Sequence, residues 1–314
     1  MMAIHHIELT QASLIGSLTD EVPPILRISS GDTIRFAALD AAWGMGESYE
    51  TRQKPFQRRE AVDAGHALIG PIYIEQAKPG MTLEIVFNDI VPGTYGFTWA
   101  GHYPNWQNEK LHLTQYEEMC LDWRLDPDSL TGTCLINDRP FSVALSPFMG
   151  VIGMPPVSGG VHSTWIPRVS GGNIDCKELV RGSKLYLPVP VEGAYLAIGD
   201  GHAQQGDGEI SCQAIECPMS LVDVTIHLIE HGAATPRANT PKGWITFGFH
   251  EDLNEATVQA LDDMLNLMGE LYGLDRVQAI ALGSSVVDLR ITQIVNGVKG
   301  VHALLPHGAV MGWR

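Results

Sequence analysis

Glycine and proline interrupt this chain so often that little of it can be long helix. There are 33 glycines and 19 prolines among 314 residues, more than an average domain carries. In a helix interior Gly costs ~1 kcal/mol and Pro ~3 kcal/mol relative to Ala, whereas turns between strands accept both. Up to about residue 250 the pattern is therefore short apolar stretches separated by turn signals. Residues 25–28, 33–36, 82–87 and 185–189 read as strands, and Ser30-Gly31-Asp32 and Lys78-Pro79-Gly80 are turns that each feed one.

Residues 244–305 are different. Asp252 and Glu255 form a D-x-x-E start, a capping-box variant. Leu253, Leu261, Met264, Leu265, Met268 and Leu271 follow with a 3.6-residue period, and Gly273 supplies a stop. Asp275 opens a second, shorter helix. Residues 289–295 read as a strand, Asn296-Gly297 as a type I′ hairpin turn, and residues 298–305 as the returning strand. The expected class is α+β and β-rich: a β-sandwich or barrel-like body over residues 1–240 that carries the chemistry, with an α+β C-terminal segment, residues 241–314, packed on it.

The net charge of −16 repels phosphate backbones and anionic lipid, which argues against nucleic-acid and membrane partners. No apolar run is long enough to span a bilayer, and the N-terminal residues show no basic-then-apolar signal pattern. Five cysteines without a C-x-x-C pair read as reduced thiols in a cytoplasmic protein.

The densest polar cluster is the segment from Gly199 to Glu209. An apolar, strand-like run leads into Asp200 and His202. At i, i+2 on a strand they share a face, about 7 Å apart along the backbone, close enough to converge on one divalent ion. Asp207 and Glu209 repeat the spacing, with glycines turning the chain between the arms. The competing reading is a solvated Gly-Asp hairpin. Gly199-Asp200-Gly201 begins like G-x-G-x-x-G, but the sixth position is Gln204 and no helix follows, which excludes a dinucleotide turn. His227-Leu228-Ile229-Glu230-His231 matches a zinc-peptidase motif that works on a helix. Here it lies in a strand-period run, which would hold the two histidines about 13 Å apart. Taken singly, Asp40, His66 and the Asn173–Asp175 turn read as a cap, a satisfied histidine and an Asx turn. Cys176 beside Lys177 reads as a packed thiol.

The chain resembles the acetamidase/formamidase family. The resemblance is carried by Gly70-Pro71-Ile72-Tyr73-Ile74-Glu75, Pro147-Phe148-Met149-Gly150-Val151-Ile152-Gly153, Gly171-Gly172-Asn173-Ile174-Asp175, Gly199-Asp200-Gly201-His202, Gly206-Asp207-Gly208-Glu209, and Asp288-Leu289-Arg290-Ile291-Thr292-Gln293. It implies a β-rich α+β fold, hydrolysis of short aliphatic amides to carboxylate and ammonia, a divalent metal (zinc, with calcium as the alternative) and a homo-oligomer. On that reading Asp200, His202, Asp175, His66 and Asp40 are the metal ligands, Glu209 is the proton acceptor, Asn173 binds the oxyanion or substrate amide, and Gly201 and Asp207 contact substrate. The chain departs from the family at His66-Ala67-Leu68-Ile69-Gly70-Pro71, where a His-Pro-x-Thr-Gly-Pro type sequence is usual, and in the aromatic segments 43–62 and 101–106. Two alternatives stay open: a non-catalytic β-rich protein with structural calcium at the acidic loop, and a thiol amidase using Cys176.

Overall fold

The turn-separated strands pair mostly antiparallel in the computed structural model, which describes residues 2–312. A nine-stranded sheet runs in the order Ile4–Ile7, Thr33–Ala38, Met219–Ile229, Thr82–Pro92, Lys184–Pro188, Arg237–Asn239, Gly243–His250, Val298–Pro306, Asp288–Asn296. A six-stranded sheet is built on Gly171–Asn173, Phe148–Gly153, Leu196–His202 and Leu68–Ile74, with two short strands at its far side. A four-stranded antiparallel sheet contains Tyr95–Ala100. Of the strands read from sequence, 33–36 and 82–87 fall within these elements, 25–28 and 185–189 match Leu26–Ile28 and Lys184–Pro188 to within one residue, and His227 lies in Met219–Ile229.

Alternation sets the packing. Thr33–Ala38 buries every second residue, as expected of a strand with one face on a core. Its Ile34 and Phe36 join Ile85, Phe87, Leu185 and Val224 of the same sheet, and Ile69, Met149, Ile152 and Ile198 of the six-stranded sheet, in one buried cluster. The opposite face of the six-stranded sheet is also covered, by Ile15, Leu18, Leu68, Val151 and Ala197. Leu196–His202 and Phe148–Gly153 are consequently buried at every position. A polar side chain on these strands is held rigidly and away from water.

The C-terminal segment does not stand apart: three of its strands complete the nine-stranded sheet. Helix Leu253–Tyr272 lies on them through Ala256, Ala260, Met264 and Met268, against Val301, Ala303 and Leu305. Close approach requires Gly248, because a Cβ there would overlap the carbonyl of Ala256. Asp252 caps the helix by accepting from the Asn254 amide at 2.7 Å, and Gly273 ends it at φ 67°. The second helix, Arg276–Val286, has the reciprocal box between Asp275 and Gln278. The Asn296-Gly297 hairpin forms but is not type I′. Only Gly297 takes positive φ, where type I′ needs it at both central residues. Asn296 is instead buried, with its side chain turned inward.

Arg237 fastens the helix to the sheet. Its Nε donates to Asp263 Oδ2 at 2.8 Å and its Nη2 to Oδ1 at 2.6 Å, and the two side chains are 10% and 7% exposed. Removing one partner strands a buried charge. Arg237→Met is expected to lower unfolding free energy by about 3–5 kcal/mol in urea titrations. Adding Asp263→Leu should recover most of the loss; a double variant as unstable as the single one would contradict this account.

Candidate active site

The site forms at the end of strand Leu196–His202. Asp200 and His202 share a face, with His202 Nε2 3.5 Å from Asp200 Oδ1. Asp175 arrives from the turn after Gly171–Asn173 and places Oδ1 3.8 Å from His202 Nδ1. Strand Phe148–Gly153 runs between these two strands, and Gly150 makes the meeting possible. A Cβ at Gly150 would overlap carboxylate oxygens of both Asp175 and Asp200. Asp175 Oδ2 and the Asn173 carbonyl both accept from the Asn296 side-chain amide, so the C-terminal hairpin closes the ring.

Glu209 comes from the glycine loop and Glu216 from the segment that follows it. Glu216 pairs through its backbone with Phe97 of the four-stranded sheet, each amide donating at 2.9 Å, and forms a bridge to His202 on the other side. Its Oε2 is 3.3 Å from His202 Nε2. Sequence reasoning passed over Glu216. Its signal was a lone carboxylate inside the apolar run Ala214-Ile215-Glu216-Cys217-Pro218-Met219. Asn296 belongs to the Asn-Gly turn and to the family-like Val295-Asn296-Gly297 stretch, and neither marks it as a site residue.

Asp175, Asp200 and Glu209 have φ of 49°, 63° and 46°. Left-handed backbone at non-glycine residues costs about 1–3 kcal/mol and gathers at functional sites. Here it accompanies Asp175 and Asp200 grouped with His202, and Glu209 grouped with His202 and Glu216.

Asp175, Asp200, His202, Glu209 and Glu216 are each 5% exposed or less. Burial and the neighbouring Asp175 carboxylate push Glu209 well above its ordinary pKa. Burial likewise raises Asp175 and Glu216. For His202 burial pulls the other way, but Glu216 and Asp200 outweigh it and hold the imidazole well above its usual range. One imidazole does not neutralise four carboxylates. Asp175 Oδ1, Glu209 Oε2, Glu216 Oε2 and Asn173 Oδ1 also have no hydrogen-bond partner among the described residues. Ligating atoms of Asp175, Asp200 and His202 lie within 4.8 Å of one another, as do those of His202, Glu209 and Glu216. Orphaned inward-facing oxygens around an imidazole nitrogen fit a divalent cation of the zinc kind. His202 Nδ1 lies 3.0 Å from Gln205 Oε1, and Gln205 donates in turn to the Asp175 carbonyl at 2.9 Å, which leaves Nε2 turned to the carboxylates.

A cavity of about 220 Å³ opens onto this cluster. Ala41, Ala42, Phe97 and Trp165 give it apolar walls, and His66, Asn173 and Arg58 add polar ones. His66 lines the cavity with its ring 4.5 Å from that of Trp165 and its Nδ1 2.7 Å from Thr164 Oγ1, but lies outside both groups of ligating atoms. Asp40, Asp207 and Gly201 are not brought into the cavity. Asp40 accepts from the Tyr95 hydroxyl at 2.8 Å and the Gly44 amide at 2.7 Å and faces Arg52. Asp207 pairs with Lys177 at 3.1 Å and Arg290 at 3.4 Å. Gly201 serves packing, since a Cβ would lie 2.7 Å from the Cys217 carbonyl. Cys176 also lies off the cavity, and burial followed by the Glu178 charge pushes its free thiol well up, which disfavours a nucleophilic role in amide cleavage. A larger open groove of about 1290 Å³ beside Arg237 and Asp263 holds no cluster of metal-ligating groups among the described residues.

A buried carboxylate–imidazole cluster at the floor of a small cavity is where a small substrate would meet titratable groups. The acetamidase/formamidase family model matches residues 142–307, which hold every member of that cluster, and the chain belongs to this family. A formamidase of Methylophilus methylotrophus is 27% identical over 263 residues, 68% of this chain and 63% of that protein. The crystal structure of an acetamidase from Bacillus halodurans superposes with TM-score 0.80 at 27% identity, covering 96% of this chain and 97% of that one. An acetamidase from Yersinia enterocolitica gives TM-score 0.82 at 24% identity over 97% and 92%.

Gly150→Ala should force the Asp175 and Asp200 carboxylates apart at a cost of about 1–3 kcal/mol. Thermal unfolding reads this directly, and an unchanged midpoint would show that the contact at Gly150 is slack.

Proposed function

We propose that this chain hydrolyses the C–N bond of short aliphatic amides, giving carboxylate and ammonia. The observation that carries the reading is the buried, under-neutralised carboxylate–imidazole cluster at the floor of a cavity of about 220 Å³. Asp175, Asp200, His202 and Glu216 would hold a divalent metal, with zinc favoured by the imidazole in the donor set. When bound, the ion supplies Lewis-acid polarisation of the amide carbonyl and lowers the pKa of water. An all-oxygen calcium site is disfavoured because His202 stands at the centre.

Glu209 is the proton acceptor. Its Oε2 is unpartnered and its raised pKa suits a group that takes a proton from the attacking water and returns it to the leaving amine. The free Oδ1 of Asn173 accepts from the substrate amide N–H and so orients the scissile bond. Ala41, Ala42, Phe97 and Trp165 limit the acyl group to a short one. Self-association belongs to the same proposal: Val157, Val161, Trp165 and Val169 stand exposed along one segment.

The test is ammonia release by metal-analysed protein from a series running from formamide to longer amides. Short members should turn over, chelation should abolish turnover, and metal should restore it. Full activity without metal, or no amide cleaved, would defeat the reading. Glu209→Gln should lower turnover about 10²–10⁴-fold while keeping or raising the unfolding midpoint of the metal-free protein, since a repelled buried charge is removed. A variant that loses stability and activity together would make Glu209 structural.

A further inference from the structure

The turn that supplies Asp175 carries a second buried group. Cys176, Glu178 and His302 are 0%, 2% and 0% exposed, and one ligating atom from each lies within 4.8 Å of the others. None of them lines the cavity. Glu178 uses its two oxygens differently. Oε1 faces the cations Lys242, at 3.5 Å, and Arg290, at 3.7 Å. Oε2 faces inward, 3.6 Å from Cys176 Sγ and 3.7 Å from His302 Nε2.

His302 enters from strand Val298–Pro306. Its Nδ1 is 2.8 Å from the Thr292 hydroxyl oxygen, whereas Nε2 is buried without a hydrogen-bond partner among the described residues. With Nδ1–H donating to Thr292, the bare lone pair of Nε2 is turned toward a carboxylate oxygen. That pairing is repulsive unless a cation stands between them.

We propose that Cys176, Glu178 and His302 form a second metal site, for a divalent transition-metal ion of the zinc type, which ties the 175–178 turn to the C-terminal hairpin. Sulfur, carboxylate oxygen and imidazole nitrogen are the three zinc donor types. Bonds of ~2.0 Å to oxygen and nitrogen and ~2.3 Å to sulfur, at tetrahedral angles, set such donors about 3.3–3.6 Å apart. The separations of 3.6 Å and 3.7 Å from Glu178 Oε2 come to within a few tenths of an ångström of that range. The Thr292 hydroxyl, 2.8 Å from Nδ1, can accept its N–H and so support the tautomer that offers Nε2, as outer partners of metal-bound histidines do. Lys242 and Arg290 remain on Oε1, so the ion displaces neither. Binding converts the Cys176 thiol to thiolate and releases its proton to solvent, with no change of oxidation state.

The site is independent of the amide reading, and so is its test. Cobalt(II) is added to the full chain after chelator treatment. A cobalt–thiolate bond gives a near-ultraviolet charge-transfer band that oxygen and nitrogen ligands do not. The wild type should show the band together with a raised unfolding midpoint. Cys176→Ala and His302→Ala should each lose it, with bound zinc falling by about one ion per chain, while Glu209→Gln keeps it. X-ray absorption on the wild-type zinc protein reads a sulfur neighbour at ~2.3 Å without relying on any variant. No band and no sulfur neighbour at saturating metal, or a band that survives Cys176→Ala, overturns the proposal.

Discussion

Four carboxylates buried around one imidazole are the constraint on which the rest of the structure turns. Like charges in a low-dielectric interior repel strongly, and His202, with His66 acting on Asp200 and Asn296 on Asp175, offsets them only in part. Such a cluster persists only if the backbone around it is overdetermined. The fold supplies this from several directions. Leu196–His202 is buried on both faces, Gly150 clears the space, Asn296 holds Asp175, and the 214–217 segment is pinned between Phe97 and His202. The left-handed backbone at Asp175, Asp200 and Glu209 is tolerated for the same reason.

What was legible in the sequence was whatever depends on near neighbours. The i, i+2 placement of Asp200 and His202 follows from strand geometry, and the two helices of the tail follow from period and caps. Glu209 was legible because it shares a glycine-turned loop with them. Residues joined only by tertiary pairing were not. Glu216 meets His202 through a bridge between segments that no local pattern connects. Asn296 looks like a turn residue until the last hairpin is docked. Asp40 shows the opposite failure. A buried aspartate at a strand end carries the same local signature whether it ligates a metal or satisfies a tyrosine and a turn amide, and here it does the latter.

The cavity and the cluster divide the labour. The apolar walls are small or aromatic, Phe97 on a strand and Ala41, Ala42 and Trp165 on turns, and on the proposed reading they select by size. The floor is charged and selects by chemistry. The second buried group, on the far side of the 175–178 turn, places a different donor set one residue away in sequence from Asp175, with sulfur in place of one carboxylate. Asp207, paired with Lys177 and Arg290, stays out of the cavity.

The hydrogen bonds from Asn296 to Asp175 and to the Asn173 carbonyl join segments 121 and 123 residues apart in the chain. During synthesis the residues of the cluster are all present well before Asn296 is made. Until the final hairpin has been translated and has taken its place at the edge of the nine-stranded sheet, Asp175 lacks its donor and the pocket has an open side. The centre is therefore completed only once Asn296 has been made, and a copy that stops short of it would carry the cluster without the frame that holds Asp175.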